Sequence, residues 1–515
     1  FKINMFVEKR RTLVVAKQEA RTSSKQNRFS AEGIMENTNN QEKTSFFDRK
    51  FGFTARGSSL KTEIVAGITT FLAMAYILVV NAGMFSDLGT VSFDAIYVTT
   101  AISAIVGTVL IGLLANLPLA QAPGMGLNAF FVYTVCFALG FTYANALVFV
   151  LIDGIIFILL TVTGLRKIIF EAIPHAVKAA IPAGIGLFIA FLGLQDSGLV
   201  IPSSSTGVTL ASFNLLSGSW ASVMPLVVAV ISILLIAVLS NKKVKGAILW
   251  GILGGAVLYY LLGLTVPDFY NGFGEKMSLN PIEPFKAFGT EAFGKVFTEG
   301  FDFTAYLAVE GHSVGGLVIA FITTSLAFCM VDMFDTMGTL YGACRGGNLL
   351  VDNGKGELEV PNMERAMLAD AIATCTGAVL GTSTVTTFVE SSSGVAAGGR
   401  TGFSSLVTSA MFLVALFLAP VAKLIPAVAY GAALVYVGIL MIGCVKDIEW
   451  SDVSVAVPAF LTMAMMPFTY NISYGIAFGL ISYVVIKLFS GKVKEIKVGT
   501  WVITLLFLAM FFLTH

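Results

Sequence analysis

The chain has 515 residues, of which 56% are hydrophobic and only 12% are charged, and its formal net charge is +1. Soluble domains carry roughly 25% charged residues, so this composition excludes a set of soluble domains and indicates an all-α polytopic membrane protein. The net charge gives no indication of a nucleic-acid partner, and we expect none. The five cysteines and three histidines show no metal-ligand spacing, so we predict no metal site, cofactor or disulfide framework.

The apolar runs of the chain predict its membrane spans, because a helix needs about 20 residues to cross a bilayer. Residues 1–45 are polar and predict a disordered tail. Seven spans are predicted at 64–83, 95–117, 121–141, 144–164, 174–195, 222–240 and 246–265. After a loop rich in Glu and Phe at 266–312, seven more are predicted at 313–343, 364–381, 382–397, 404–420, 425–443, 453–470 and 472–489. The last apolar stretch, 500–514, is short and predicts either an interfacial helix or a fifteenth span.

The distribution of basic residues predicts the orientation of these spans. Lys and Arg concentrate after even-numbered spans, as at 242–245 after span six and at Lys492 and Lys494 after span fourteen. The segment 196–221, after an odd-numbered span, contains neither residue type, and only the long loop and Lys423 depart from the pattern. Because cytoplasmic loops carry the excess of Lys and Arg, we predict a plasma-membrane protein with both ends of the fourteen-span unit in the cytoplasm.

An internal repeat relates the two sets of seven spans. The segment 68–74 in span one is similar to 322–328 in span eight, and 101–110 in span two is similar to 371–380 in span nine. Both matches are seven spans apart, and seven is an odd number, so the two halves would have opposite orientations. The sequence therefore predicts a 7+7 inverted repeat, which is a transporter architecture with the site at the membrane midplane.

Spans three and ten, which correspond in the two halves, are each interrupted. Span three begins with Leu117-Pro-Leu-Ala-Gln-Ala-Pro-Gly-Met-Gly-Leu-Asn128, whose prolines and glycines oppose a continuous helix. Span ten begins with Gly381 and a run of Thr, Ser and Val, which favours extended backbone. We predict a short strand at the start of each span, followed by a half-helix. Asn128 is predicted either to belong to a site or only to cap its half-helix.

Carboxylates inside the predicted spans are the candidate functional groups, since an ionisable residue at membrane depth is expensive and indicates a functional site. Glu390 follows the break in span ten, and Asp332, Asp335 and Thr339 share one face of span eight. Burial favours the neutral form of a carboxyl group, so Glu390, Asp335 and Asp332 are each candidates for proton coupling. Two further carboxylates are predicted to be packing or relay groups: Asp153 and Asp370.

Four separated motifs resemble the AzgA-like purine permeases of the nucleobase–cation symporter and nucleobase–ascorbate transporter superfamily. They are Thr62-Glu-Ile-Val-Ala-Gly-Ile-Thr-Thr-Phe-Leu-Ala-Met-Ala-Tyr76, Gln121-Ala-Pro-Gly-Met-Gly-Leu-Asn128, Asp332-Met-Phe-Asp-Thr-Met-Gly-Thr339, and Thr386-Thr-Phe-Val-Glu-Ser-Ser-Ser-Gly394 with Gly399-Arg-Thr-Gly402. The resemblance runs from about residue 46 to the C-terminus. It implies fourteen spans in two inverted repeats, divided between a core domain that carries the site and a gate domain that commonly forms a homodimer.

The resemblance also implies boundaries and roles. The core domain would comprise 46–164 and 313–420, the gate domain 165–312 with the extracellular loop 266–312 and 421–490, and 491–515 a C-terminal segment. Proton-coupled uptake of adenine, guanine and hypoxanthine is implied, with membrane lipid around the spans. Asp335 and Glu390 would hold the purine, with backbone near Val389 and Ser391 and with Gly126 and Asn128 completing the site.

One position departs from the pattern of the uracil-type relatives, which carry Glu-x-x-Gly-His in span eight. Here the sequence is Asp335-Thr-Met-Gly-Thr339, so Thr339 stands where those relatives have histidine, and a bicyclic ligand would have more room. An anion transporter of the same architecture, of the sulfate type, is the alternative, although two carboxylates oppose anion binding. We expect no enzyme, because no metal cluster, nucleophile–base pair or phosphate loop occurs in the sequence.

Overall fold

A computed structural model describes residues 46–164, 173–216, 218–270, 280, 282–309, 313–352 and 358–513. The tail predicted at 1–45 lies outside the described residues. The described residues fall into two units, which meet in the chain between Arg56 and Gly57. Within the first unit, the described residues include helix α1, Phe46–Phe51.

The first half of the larger unit contains long helices separated by one break. Span one consists of α2 (Leu60–Met74) and α3 (Ile77–Ser86), and span two of α4 (Phe93–Leu114). Span three begins with strand β1 (Gln121–Pro123) and continues as α5 (Met125–Ala129) and a π-helical segment, Phe130–Ala138. The remaining elements are α6 (Tyr143–Thr163), α7 (His175–Asp196), β2 (Val200–Ser203), β3 (Gly207–Leu210), α8 (Trp220–Asn241) and α9 (Ala247–Gly263).

The second half of the larger unit begins with four short elements. These are α10 (Glu283–Ala287), a π-helical turn (Phe288–Ala292), α11 (Lys295–Thr298) and α12 (Thr304–Leu307). They are followed by α13 (Val314–Gly346), β4 (Val351–Asp352), β5 (Leu358–Glu359) and α14 (Met363–Leu380). Span ten begins with β6 (Val385–Thr387) and continues as α15 (Ser391–Ala396). The last helices are α16 (Gly402–Leu416), α17 (Ala419–Ala422), α18 (Ala427–Met441) with a 3-10 turn (Ile442–Asp447), α19 (Val453–Thr469), α20 (Ile472–Phe489), a 3-10 turn (Val493–Glu495) and α21 (Val498–Leu513).

Eight helices in the described part of the chain are long and apolar enough to cross a membrane. They are Leu60–Ser86, Phe93–Leu114, Tyr143–Thr163, His175–Asp196, Trp220–Asn241, Val314–Arg345, Ala427–Lys446 and Ile472–Phe489. Shorter apolar helices occupy five further predicted positions: Met125–Ala138, Ala247–Gly263, Gly402–Leu416, Val453–Thr469 and Val498–Ala509. The molecule is therefore mostly helical and of the polytopic membrane type, as its composition predicts.

Helix boundaries follow local capping chemistry. Ser92 caps α4 by accepting a hydrogen bond from the backbone N–H of Ala95, and Thr142 forms a reciprocal capping box with Asn145 at the start of α6. Such bonds satisfy N–H groups that have no partner within the helix. Close glycine contacts then bring helices together: a Cβ at Gly402 would collide with the carbonyl oxygen of Gly112. Backbone contact of this kind is typical of helix packing in membranes.

The two predicted strands are present and pair with each other. β1 and β6 run antiparallel, with Gln121 opposite Thr387 and Pro123 opposite Val385, and every residue of both strands is buried. The pairing extends beyond the strands through a bond of 3.0 Å from the N–H of Phe388 to the carbonyl of Ala120. Extended backbone at membrane depth needs such internal partners, and here each half of the chain supplies them to the other.

The described part of the loop predicted at 266–312 packs on the helical body. The Asn145 side-chain amide donates to the carbonyls of Gly300 and Asp302, each at 2.8 Å. The N–H of Gly294 donates to the carbonyl of Val379 at 2.9 Å. These contacts are with helices that the sequence prediction assigned to the core domain, whereas the same prediction placed the loop in the gate domain.

Candidate functional site

A cavity of about 510 Å³ lies beside the paired strands. The starts of both half-helices contribute Gly126 and Glu390 to its wall, α13 contributes Asp335, and the end of α18 contributes Met441. This volume falls within the range of roughly 300–1,000 Å³ that is typical of small-molecule sites. The cavity is therefore bounded by both predicted breaks and by α13, the helix that carries Asp335.

Glu390 is bound by a residue to which sequence reasoning gave no role. The hydroxyl of Tyr76 donates a hydrogen bond of 2.6 Å to Oε1 of Glu390, and both side chains line the cavity. Tyr76 closes the first of the four motifs, at the junction between α2 and α3. The sequence predicted a continuous span there, and nothing local indicated the partner of this tyrosine.

Two of the three residues predicted on span eight line the cavity, and the third does not. Asp335 and Thr339 line the cavity together with Gly338. Asp332 is absent from the lining; its side chain is fully buried, and neither of its carboxylate oxygens has a hydrogen-bond partner among the described residues. Asp335 and Thr339 are therefore placed to contact a ligand, and Asp332 lies behind them.

Asp370 joins three elements beneath the cavity. One carboxylate oxygen accepts from the Gln121 amide at 2.9 Å and from the Thr387 hydroxyl at 3.3 Å. The other accepts from the Thr336 hydroxyl at 2.8 Å. Thr387 lines the cavity, and Thr336 is the neighbour of Asp335 in the chain. Asp370 thus ties both strands to span eight next to the candidate ligand contacts.

Other predicted residues divide between the cavity and its frame. Val389 lines the cavity and is half exposed there. The Ser391 hydroxyl accepts from the N–H of Ala120 at 3.0 Å, and the Asn128 amide donates to the carbonyl of Pro123 at 3.3 Å. Neither Ser391 nor Asn128 is part of the lining. Their side chains hold the two breaks in place, while Val389 and Gly126 face the space between them.

Asp153 also belongs to the frame. Its side chain is fully buried in α6, and Oδ2 accepts a bond of 3.2 Å from the hydroxyl of Thr384, which directly precedes β6. Its other oxygen has no hydrogen-bond partner in the described part of the molecule. Asp153 therefore anchors the start of the strand rather than facing the cavity.

A second cavity of about 570 Å³ adjoins the first. Glu390, Ser392 and Leu440 line both spaces, and the second extends to the basic segment with Lys243 and Lys245. At its edge, Nζ of Lys245 donates to the hydroxyl of Thr69 at 3.2 Å. Glu390 thus stands between the candidate site and a route towards this segment.

The first cavity combines polar edges with apolar walls. Carboxylates and hydroxyl groups are contributed by Tyr76, Asp335, Thr339 and Glu390, and the lining formed by the described residues contains neither Lys nor Arg. Such a site suits a neutral, flat solute with several N–H groups, because each carboxylate can only accept hydrogen bonds when it is ionised.

The chain is similar in sequence to relatives of known name. The chain is 39% identical to the guanine/hypoxanthine permease PbuO of Bacillus subtilis, covering 90% of this chain and 100% of PbuO. It is 34% identical to the adenine permease AdeP of Escherichia coli, covering 90% of this chain and 95% of AdeP. The resemblance to adenine, guanine and hypoxanthine permeases is therefore confirmed.

Solved structures show the same fold at low identity. The transmembrane domain of the cyanobacterial bicarbonate transporter BicA matches with a TM-score of 0.55 at 14% identity, covering 81% of this chain and 97% of that domain. SLC26A9 matches with a TM-score of 0.53 at 12% identity, covering 84% of this chain and 66% of that protein. The profile of the Permease family (Xan_ur_permease) matches residues 61–478. The chain belongs to this family and is a multi-pass membrane transporter, not an enzyme.

Proposed function

We propose that this protein takes up the purine nucleobases adenine, guanine and hypoxanthine across the plasma membrane by proton symport. The observation that carries the proposal is the position of Asp335 and Glu390 in the wall of one cavity, beside the paired breaks of spans three and ten. The names of PbuO and AdeP support the substrate class.

In this proposal, a neutral purine lies between the two half-helices and against span eight. Asp335 and Glu390 accept hydrogen bonds from its N–H groups, and Thr339 lies one helical turn from Asp335 on the same wall. Backbone at Val389 and Gly126 faces the base, and Ser391 and Asn128 complete the site from behind the lining, where they hold the two breaks. A base with a different pattern of donors would leave buried groups unpaired, which is the strongest source of discrimination that a polar pocket has.

One buried carboxylate carries the coupled proton. Glu390 and Asp335 would exchange it next to the substrate, whereas Asp332 would hold it behind the site. The burial of Asp332 without a partner supports its candidacy, because an isolated charge there would be far more costly than a neutral carboxyl group. Glu390 remains the first candidate, since it stands between the two cavities.

Transport proceeds by alternating access. Fourteen spans in a 7+7 inverted repeat form a core domain (46–164 and 313–420) and a gate domain (165–312 and 421–490), with 491–515 as a C-terminal segment. The core moves against the gate within the lipid bilayer, the N-terminus is cytoplasmic, and the gate domains form a homodimer. The second cavity supports a cytoplasmic route, because it extends to the Lys-rich segment after span six.

An anion transporter of the sulfate type is not favoured. BicA shares the fold alone at 14% identity. The candidate cavity presents two carboxylates, and its described lining residues include no cationic side chain. Anion sites use helix N-termini and cations instead.

Uptake of radiolabelled hypoxanthine and adenine into vesicles under an imposed pH gradient tests the proposal. Wild-type protein should accumulate both purines only when the gradient drives protons in the same direction. Glu390→Gln and Asp335→Asn should each lower uptake by roughly 10- to 150-fold, because a hydrogen bond to a charged group contributes about 1.5–3 kcal/mol. Glu299→Gln is the matched control, since Glu299 is exposed directly after α11 and pairs with Lys295.

The outcomes separate the parts of the proposal. Normal, proton-dependent uptake by Glu390→Gln would exclude Glu390 as a substrate ligand and proton carrier. Competition of purine uptake by sulfate would favour the anion alternative. Purine uptake that ignores the pH gradient would leave the substrate class standing but refute proton symport.

A further inference from the structure

Tyr76 occupies a junction within span one. Helix α2 ends at Met74 and α3 begins at Ile77, and the N–H of Val79 bonds back to the carbonyl of Tyr76 at 3.2 Å. The tyrosine side chain is only 1% exposed, yet its ring is part of the cavity wall. Tyr76 therefore contributes a large, buried side chain with a terminal hydroxyl group to the wall of the candidate cavity.

The hydroxyl of Tyr76 donates its hydrogen bond to one carboxylate oxygen of Glu390. It donates to Oε1 at 2.6 Å, a short distance that is typical of a hydrogen bond to a carboxylate. A phenol has a single hydrogen to donate, so this bond uses one acceptor position of Oε1 and restrains the orientation of the carboxylate. Among the described residues no side chain bonds Oε2, so this oxygen is available to a solute in the cavity.

This contact joins parts of the chain that are 314 residues apart. Glu390 directly precedes the half-helix α15 and has three rotatable side-chain bonds. Without the Tyr76 hydroxyl, the Glu390 side chain would become ordered only when the substrate binds. Immobilising one such side chain costs about 0.5–1.5 kcal/mol, which corresponds to roughly 2- to 13-fold in affinity.

We propose that Tyr76 is a positioning residue for transport, whose hydroxyl pre-orients Glu390 so that Oε2 accepts a hydrogen bond from the nucleobase. This inference rests on the proposed function, since it assigns Glu390 to the substrate. Tyr76 acts through Glu390, and its loss raises the substrate concentration needed for uptake without stopping transport.

The test compares Tyr76→Phe with Tyr97→Phe. Tyr97 is also buried, and its hydroxyl donates to the carbonyl of Ala415 at 2.9 Å, outside the cavity lining. Each substitution removes one buried hydroxyl and keeps the ring. Initial rates of hypoxanthine uptake, normalised to the amount of protein in the membrane, should show a KM raised roughly 2- to 13-fold in Tyr76→Phe. The maximal rate should change less than about twofold, and Tyr97→Phe should keep the wild-type KM.

A double-substitution cycle then separates positioning from a general structural effect. The affinity of purified protein for labelled hypoxanthine is measured in wild type, Tyr76→Phe, Glu390→Gln and the double variant. Tyr76→Phe should weaken binding much less when Gln already replaces Glu390. An equal effect in both backgrounds, or an unchanged KM in Tyr76→Phe, would overturn the assignment. Failure of wild-type protein to take up purines would instead refute the proposed function itself.

Discussion

Removal of the Asp370 carboxylate should destabilise the fold, because three buried donors converge on it. Gln121 and Thr387 share one oxygen, and Thr336 bonds the other. In Asp370→Ala the Thr336 hydroxyl can still bond Thr386, its neighbour at 2.6 Å. One amide hydrogen of Gln121 and the hydroxyl of Thr387 lose their acceptor. Each unsatisfied buried donor costs about 1–3 kcal/mol, so we expect a loss of about 2–6 kcal/mol.

Asp370→Asn should be much milder. An asparagine keeps one acceptor oxygen for Gln121 and Thr387, and its amide can donate to Thr336, whose hydroxyl then donates to Thr386. We therefore expect a loss of about 1–2 kcal/mol. The contrast between the two variants comes from the geometry of the donors rather than from the charge alone.

Unfolding of purified protein in detergent, followed against denaturant concentration, measures both effects. Asp302→Ala is the control, because Asp302 is exposed and accepts locally from the N–H and hydroxyl of Thr304 at 3.0 and 2.6 Å. Water replaces those bonds, so its transition should stay close to that of the wild type. If Asp370→Ala unfolds at the wild-type denaturant concentration, Asp370 does not hold the strands to span eight.

Two further predictions concern the cavity wall. N-Ethylmaleimide should inhibit hypoxanthine uptake by alkylating Cys444, whose side chain lines the cavity. Excess hypoxanthine should protect the protein from this inhibition. The variant Cys444→Ser should resist inhibition, whereas a variant of the buried Cys344 should stay sensitive. Inhibition that persists in Cys444→Ser would contradict this. At Gly338 an added Cβ meets no atom within 4 Å, so Gly338→Ala should transport normally, whereas Gly338→Leu should fill the cavity and raise the hypoxanthine KM at least about tenfold. An added Cβ at Gly342 also meets no atom within 4 Å, but Gly342 lies outside the lining. The prediction fails if Gly342→Leu raises the hypoxanthine KM as much as Gly338→Leu does.

Hydropathy and turn chemistry were sufficient to predict the long apolar helices and the strands β1 and β6, but not β2 to β5 or the short helices α10 to α12. Long apolar runs have few alternatives to helix at membrane depth, and the prolines of span three and the Thr/Val run of span ten oppose helix locally. Helix ends such as that at Thr142 follow from capping residues that lie next to them in the chain. These features depend on neighbours in sequence, and a sequence pattern contains that information.

The site was predicted only where local spacing determines it. Asp335 and Thr339 are one turn apart, so they had to share a face, and both line the cavity. The deeper position of Asp332 depends on how span eight is rotated against its neighbours, which spacing does not determine. The contact between Tyr76 and Glu390 joins residues of different halves. No periodicity in the chain encodes such a pair.

The pairing of β1 with β6 has a consequence for how the protein is made. Gln121 and Thr387 are 266 residues apart, and a ribosome adds about 5–20 residues per second, so the second strand follows the first by on the order of 10–50 s. During that interval the carbonyl of Ala120 and the N–H of Gly124 lack their partners, Phe388 and Thr384, and lipid cannot supply one. Span three must therefore wait in water, in the translocation machinery or against a chaperone until span ten emerges. Assembly of the two halves is thus a late and obligatory event in the biogenesis of the transporter.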